Sequence, residues 1–199
     1  MDKLSEYHSF ELHSDPIVRD KIRNLFYLRL YLGSDYQQVK IVDLDGFYGL
    51  IWRDKIVGYK DKDPKEATIF EMVKRRIKNL EFYVKCEDLL ERALDGLKKN
   101  GVIQYYKNKK RYFITQDIFY QLALRKFIDQ LYKKHKSFTE FKEQFVNEFG
   151  KTATAKEVFS SWAENKLRSS KDDDFKHFIQ KALIEDNKDW YYYILKAIA

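Results

Sequence analysis

The sequence predicts a mainly α-helical fold with a small β component, and three observations lead there. Glycine and proline are scarce, seven and two in 199 residues, which leaves long uninterrupted stretches for helices and little punctuation for a β-rich fold. Apolar residues recur at helical spacing through most of the chain. β-branched and aromatic residues crowd together at 38–60 and again after residue 102. At 44% hydrophobic and 17% aromatic residues, core material is ample, so the 35% charged side chains do not signal disorder. The expected layout is a tail at 1–16, a folded unit at 17–115 with a β-hairpin insertion at 38–60, and a helical segment at 116–199.

Taken in order, Ile17, Ile22, Leu25, Phe26, Leu28, Leu30, Tyr31 and Leu32 predict a first helix that stops at Gly33. Val39, Ile41, Val42, Tyr48, Leu50, Ile51, Trp52, Ile56, Val57 and Tyr59, interrupted by Asp45-Gly46 and Arg53-Asp54-Lys55, predict short strands in a hairpin, because Asp-Gly tolerates positive φ. Asp63-Pro64-Lys65-Glu66 then supplies a capping carboxylate, a proline whose missing N–H is harmless in a first turn, and an acidic third position. In the helix it starts, Ile69, Val73 and Ile77 form the buried stripe, while Lys74, Arg75, Arg76 and Lys78 crowd the last turns.

The most specific stretch runs from Glu87 to Ile114. Leu90, Ala93, Leu94 and Leu97 make one helix face and Asn100-Gly101 ends the helix. Val102-Ile103 begins a strand that turns at Lys107 to Lys110 and returns through Tyr112-Phe113-Ile114. This helix, stop and hairpin resembles the third helix and wing of the winged-helix superfamily. The resemblance makes 65–78 the second helix and 17–33 the first, with the 38–60 hairpin as an insertion where the family has only a short strand segment. In element order and in the Leu94 to Ile103 pattern the chain is also similar to the N-terminal domains of phage and bacterial replication-initiation proteins of the DnaD type. That implies a DNA-binding protein in replication initiation or transcription control of a phage, plasmid or small genome.

Charge agrees with a polyanion partner: the net charge is +7 and the isoelectric point near 9.2. From Lys98 to Arg111 the cations Lys98, Lys99, Lys107, Lys109, Lys110 and Arg111 meet no acidic residue, with Tyr105, Tyr106 and Tyr112 among them. Together with Lys74, Arg75, Arg76, Lys78 and Arg92 they are the candidate nucleic-acid contacts, acting through phosphates. Against this, the third helix carries Glu87, Asp88, Glu91 and Asp95 where a recognition helix usually meets bases. One unbroken positive face would favour DNA. Interruption by those carboxylates would favour the alternative, a non-catalytic adaptor that binds protein through the winged helix and the C-terminal helices.

The segment 116–199 predicts further helices. Ile118, Leu122, Phe127, Ile128 and Leu131 give one stripe and Phe138, Phe141, Phe145, Val146 and Phe149 another, closed by Gly150. Val158, Phe159, Trp162 and Leu167, then Phe175, Phe178, Ile179 and Leu183, and finally Trp190, Tyr191, Ile194, Leu195 and Ile198 complete the series. Trp190, Tyr191, Tyr192 and Tyr193 are the candidate docking face for a protein partner or a second copy.

No enzymatic constellation is read. Gly150-Lys151-Thr152 lacks the first glycine of a phosphate-binding loop. His8, Glu11, His13 and Asp15 have no metal-site spacing. Asp43, Asp45, Asp54, Asp61 and Asp63 are accounted for by turns and capping. Cys86 is the sole cysteine, which excludes an intrachain disulfide and multi-cysteine zinc sites, and its acidic neighbours disfavour a thiolate. No cofactor is expected. With neither an export-type N-terminus nor an apolar run of roughly 18 residues, a cytoplasmic protein without a membrane partner is expected.

Overall fold

A computed structural model describes residues 16–32, 44–58, 62–169, 173–185 and 189–199. Helices dominate, with one small antiparallel sheet. The tail cluster His8, Glu11, His13 and Asp15, the Gly33 stop, and Val39, Ile41, Val42, Asp43, Tyr59 and Asp61 lie outside the described residues.

The predicted first helix is two helices, α1 at Pro16–Ile22 and α2 at Leu25–Leu32. The chain turns between them: the N–H of Arg23 reaches back to the carbonyl of Asp20, and the carbonyl of Asn24 accepts the first bond of α2 from Leu28. Pro16 starts α1, where its fixed φ suits the first position.

The expected hairpin at 38–60 is overturned across its described part. α3 at Leu44–Ile51 runs directly into a π-helical segment at Trp52–Val57, closed by the Gly58 N–H donating to the carbonyl of Arg53 at 2.7 Å. Phe47, Leu50, Ile51, Trp52, Ile56 and Val57 are all buried. Burial on one helical face outweighs the strand preference of β-branched and aromatic residues, which largely reflects how they pack on a sheet. Gly58 ends the segment at φ +63°, a conformation costly for residues with a Cβ.

α4 spans Lys62–Asn79, so Asp63 and Pro64 fall within its first turn, where a missing N–H breaks no helical bond. Leu80 leaves it left-handed at φ +53°, and the Glu81 N–H returns to the carbonyl of Arg76. α5 is Glu91–Lys99, shorter at its start than the acidic run suggested; Glu87 and Asp88 lie in a preceding turn. Its end is the predicted stop. Gly101 is left-handed at φ +72°, its N–H bonds the carbonyl of Lys98, and the N–H of buried Val102 bonds the carbonyl of Leu97. That pair of bonds is a Schellman motif.

β1 at Ile103–Tyr106 and β2 at Arg111–Ile114 pair antiparallel, with Ile103 opposite Ile114 and Tyr106 opposite Arg111. Lys107–Lys109 form a single 3₁₀ turn between them, and Lys110 is left-handed at φ +49°. Val84, between α4 and α5, exchanges both backbone hydrogen bonds with Tyr112 at 2.7 and 2.9 Å, adding a strand-like edge to β2.

The remaining helices are α6 at Asp117–Lys134, α7 at Phe138–Phe149, α8 at Ala153–Ser169, α9 at Asp173–Glu185 and α10 at Tyr191–Ile198. Two apolar clusters hold the chain together. The first joins α1 to α5, the sheet and the first half of α6 through Ile118, Phe119, Leu122 and Ala123. The second joins α6 to α10 with Ile77 of α4 and is strongly aromatic, with Phe138, Phe141, Phe145, Phe159, Trp162 and Phe178 among its members. α6 belongs to both, since Leu124, Ile128 and Tyr132 of its second half lie in the second cluster. Rings also bridge them: Trp52 stacks on Phe70, Phe70 meets Phe127, and Phe127 meets Phe149 at centroid separations of 5.7, 5.2 and 5.5 Å.

Candidate nucleic-acid interface

Most of the cations at the end of α4 are turned to structural use. Lys74 sits between Glu71 at 2.7 Å and Glu148 of α7 at 2.9 Å, against the ring of Phe127. Partial burial opposes its charge, but the two carboxylates outweigh this and raise its pKa. Arg75 grips Asp88 and also donates to Glu71 at 2.8 Å and to the carbonyl of Lys85 at 2.8 Å. Its hydrogen bonds to Asp88 lead in raising its pKa, and the same bonds hold the Asp88 carboxyl down at about 2. The guanidinium of Arg76 lies 4.8 Å from the ring centre of Phe82 and 4.3 Å from that of Tyr120. Lys78 is exposed on the last turn.

The same holds in part around the hairpin. Arg111 pairs with Glu81 at 2.9 Å, and Lys98 pairs with Asp95 one turn back in α5 at 2.8 Å. Arg92 and Lys99 are exposed. Lys107, Lys109 and Lys110 are exposed at the tip, and among the described residues none of the three has a carboxylate within salt-bridge distance. Lys109 places its ammonium 4.4 Å over the ring centre of Tyr83.

Lys74, Arg75, Lys99, Lys109, Lys110 and Arg111 therefore do not make one free positive face. Asp88, Glu81 and Asp95 interrupt it, and Lys74 points away toward α7. What remains concentrated is the hairpin tip. The i,i+4 pair Glu71 and Arg75 was visible in the sequence spacing; the pairs Arg75 with Asp88 and Arg111 with Glu81 join residues 13 and 30 apart and had no local signal.

The C-terminal docking residues separate into two groups. Trp190 is 1% exposed, packed edge-on against Phe145 and Phe159 at 5.3 and 5.0 Å. It belongs to the core and is withdrawn from the docking face. Tyr191 and Tyr192 are exposed and Tyr193 is half-buried, its ring 5.8 Å from the Lys156 ammonium.

The dismissed motifs find structural roles. Thr152, in the Gly150-Lys151-Thr152 connection between α7 and α8, accepts from the N–H of Ala155 at 3.1 Å, capping α8. Cys86 is buried and its thiol is pushed up to about 12, chiefly by loss of water. No cluster of three metal-ligating side chains occurs among the described residues, and no described helix is long and apolar enough to cross a membrane. No protein-family model matches the chain, and no curated protein matches it.

Proposed function

We propose that this is a non-catalytic nucleic-acid-binding protein of winged-helix type whose hairpin tip is its phosphate contact. The observation that carries the reading is the set Lys107, Lys109 and Lys110: three exposed lysines within four positions, on a single 3₁₀ turn and the residue that closes it, without a carboxylate partner among the described residues. A hairpin tip of this charge lies along a phosphate backbone or enters a minor groove. The turn before α5 and the start of α5 do not act as a base reader, because Glu87, Asp88 and Glu91 repel phosphate and Arg75 is committed to Asp88. Binding is thus electrostatic and tolerant of sequence, in keeping with a role in replication or transcription control of a small genome.

The strand-like edge at Val84 refines the comparison with winged helices. A short strand beside the wing belongs to that fold, and Val84 supplies such an edge; between it and β1 stands one helix, α5, and the reading rests on α5 and the hairpin rather than on the order of the helices before them. Fluorescence anisotropy of labelled duplex DNA between about 50 and 200 mM salt tests the reading. With Lys107, Lys109 and Lys110 all changed to Ala, the slope of log K against log salt should fall by about 0.9 per lost phosphate contact. No binding by the unaltered protein at the lowest salt would end it.

A protein-binding adaptor is the second reading. Its support is the internal commitment of Lys74, Arg75, Lys98 and Arg111 and the exposed apolar side chains Tyr191, Tyr192, Leu195 and Ile198 on α10.

A further inference from the structure

The sheet has two unlike faces. Ile103, Ile114 and Val84 point inward against α5 and are buried. Because side chains alternate along a strand, Tyr106 and Phe113 point the other way, and so does Tyr83 on the edge beside β2. These rings form one continuous surface: Tyr83 stacks on Tyr106 at 5.0 Å and 25°, meets Phe113 edge-on at 5.6 Å, and Phe82 lies over Phe113 at 5.7 Å. Phe82 is 48% exposed, and Tyr83, Tyr106 and Phe113 are partly exposed. Two cations pack on these rings, Arg76 over Phe82 and Lys109 over Tyr83.

We propose that this outer sheet face binds single-stranded nucleic acid, stacking unpaired bases on Phe82 and Tyr106 while the phosphates run over the lysines of the hairpin tip. The inference rests on the hairpin being a nucleic-acid contact and adds which form it takes. Rings on an open sheet face offer π-surface to any base, but in a duplex the base faces are already covered by neighbouring pairs. The tip lysines alone make no such distinction, since they meet only phosphate. Charge fixes the choice of partner. An aromatic surface bearing Arg76 and Lys109, next to Lys107 and Lys110, complements a polyanion, whereas a neutral apolar partner would cover these cations without a counter-charge. The aromatic contribution is also less sensitive to salt than the phosphate contribution, so single-strand binding should outlast duplex binding as salt rises.

The test uses the full chain with a labelled dT oligonucleotide of about ten residues, a span within that of one stacking site, and a labelled duplex of equal length. Phe82→Ala and Tyr106→Ala should each weaken dT binding about tenfold or more and leave duplex binding within about twofold. A second readout is independent of any loss of folding in those variants. Trp52, Trp162 and Trp190 are buried, so a Tyr106→Trp substitution adds an exposed fluorophore that saturating dT should quench. Duplex binding with no response of dT affinity to either alanine, or an unquenched tryptophan in a complex known to have formed, overturns this proposal and leaves the hairpin reading standing. If neither oligonucleotide binds the unaltered protein at about 50 mM salt, the hairpin reading fails and this proposal fails with it.

Discussion

Arg75 holds Asp88 with both terminal nitrogens of its guanidinium, Nη1 to Oδ1 at 2.8 Å and Nη2 to Oδ2 at 2.5 Å, tying α4 to the turn before α5. This bidentate geometry fixes direction as well as charge. It also removes from the surface an arginine that the sequence offered to nucleic acid.

Asp88→Asn should therefore raise affinity for duplex DNA at low salt and steepen its salt dependence. The gain is at most about 0.9 in the slope of log K against log salt, since one cation is released and Glu71 still holds part of it. Anisotropy titrations of the variant beside the unaltered protein measure this; an unchanged slope would mean that Arg75 does not face the bound phosphates.

Stability should decline in acid over a defined window. Hydrogen bonds from Arg75 depress Asp88 from 3.8 to about 2. Glu71 is also held low, because its bonds to Lys74 and Arg75 outweigh partial burial. A carboxylate depressed by folding stabilises fully above its unfolded pKa, and that stabilisation is lost as pH falls through the folded value. Urea midpoints should therefore drop between about pH 4 and pH 2, and drop less in Asp88→Asn. Parallel curves for the two proteins would remove the ion pair from the account.

Two glycines of the α5 hairpin unit should respond oppositely to alanine. Gly101 needs φ +72°, so Gly101→Ala should destabilise by about 1–2 kcal/mol. At Gly96 a new Cβ would lie 2.5 Å from Cε of Lys65, the far end of a flexible side chain that can swing away. Helix preference then favours alanine by up to about 1 kcal/mol, so Gly96→Ala should be neutral or stabilising by thermal melt. A loss at Gly96 as large as that at Gly101 would mean that Lys65 is held by its contact to the Val57 carbonyl.

Neighbouring aromatic residues at the C-terminal end should also part company. Trp190→Ala should destabilise by about 3–5 kcal/mol, as removal of a fully buried large ring does. Tyr192, 65% exposed, should tolerate Ser within about 0.5 kcal/mol. Equal effects would contradict the packing of Trp190 among Phe138, Phe145 and Phe159.

The residues that could be read from sequence were those governed by local chemistry. Asn100-Gly101 announced its stop because a left-handed residue after a helix selects glycine, and the hairpin followed from Val102-Ile103 and Tyr112-Phe113-Ile114 flanking a lysine turn. Gly150 likewise closed α7 at φ +83°. The stretch from Leu44 to Val57 failed for a physical reason: Asp45-Gly46 has strong turn chemistry, yet Phe47, Leu50 and Ile51 stand at helical spacing, and burial of that face decided the outcome. Arg23-Asn24 gave no breaker signal strong enough to split α1 from α2. At the candidate interface, the cationic tip was legible. The pairing that neutralises Arg75 and Arg111 was not, because it is set by how α4, the turn before α5 and β2 meet in space.

α6 contributes to both apolar clusters, and the expected division at residue 116 falls just ahead of it. A cut there would strip Ile118, Phe119, Leu122 and Ala123 from one core and Ile77 of α4 from the other. Neither half is thus a transferable module. Insertions, fusions and recombination crossovers are tolerated only where the chain does not run through a shared wall, so inheritance should keep α4 to α6 unbroken.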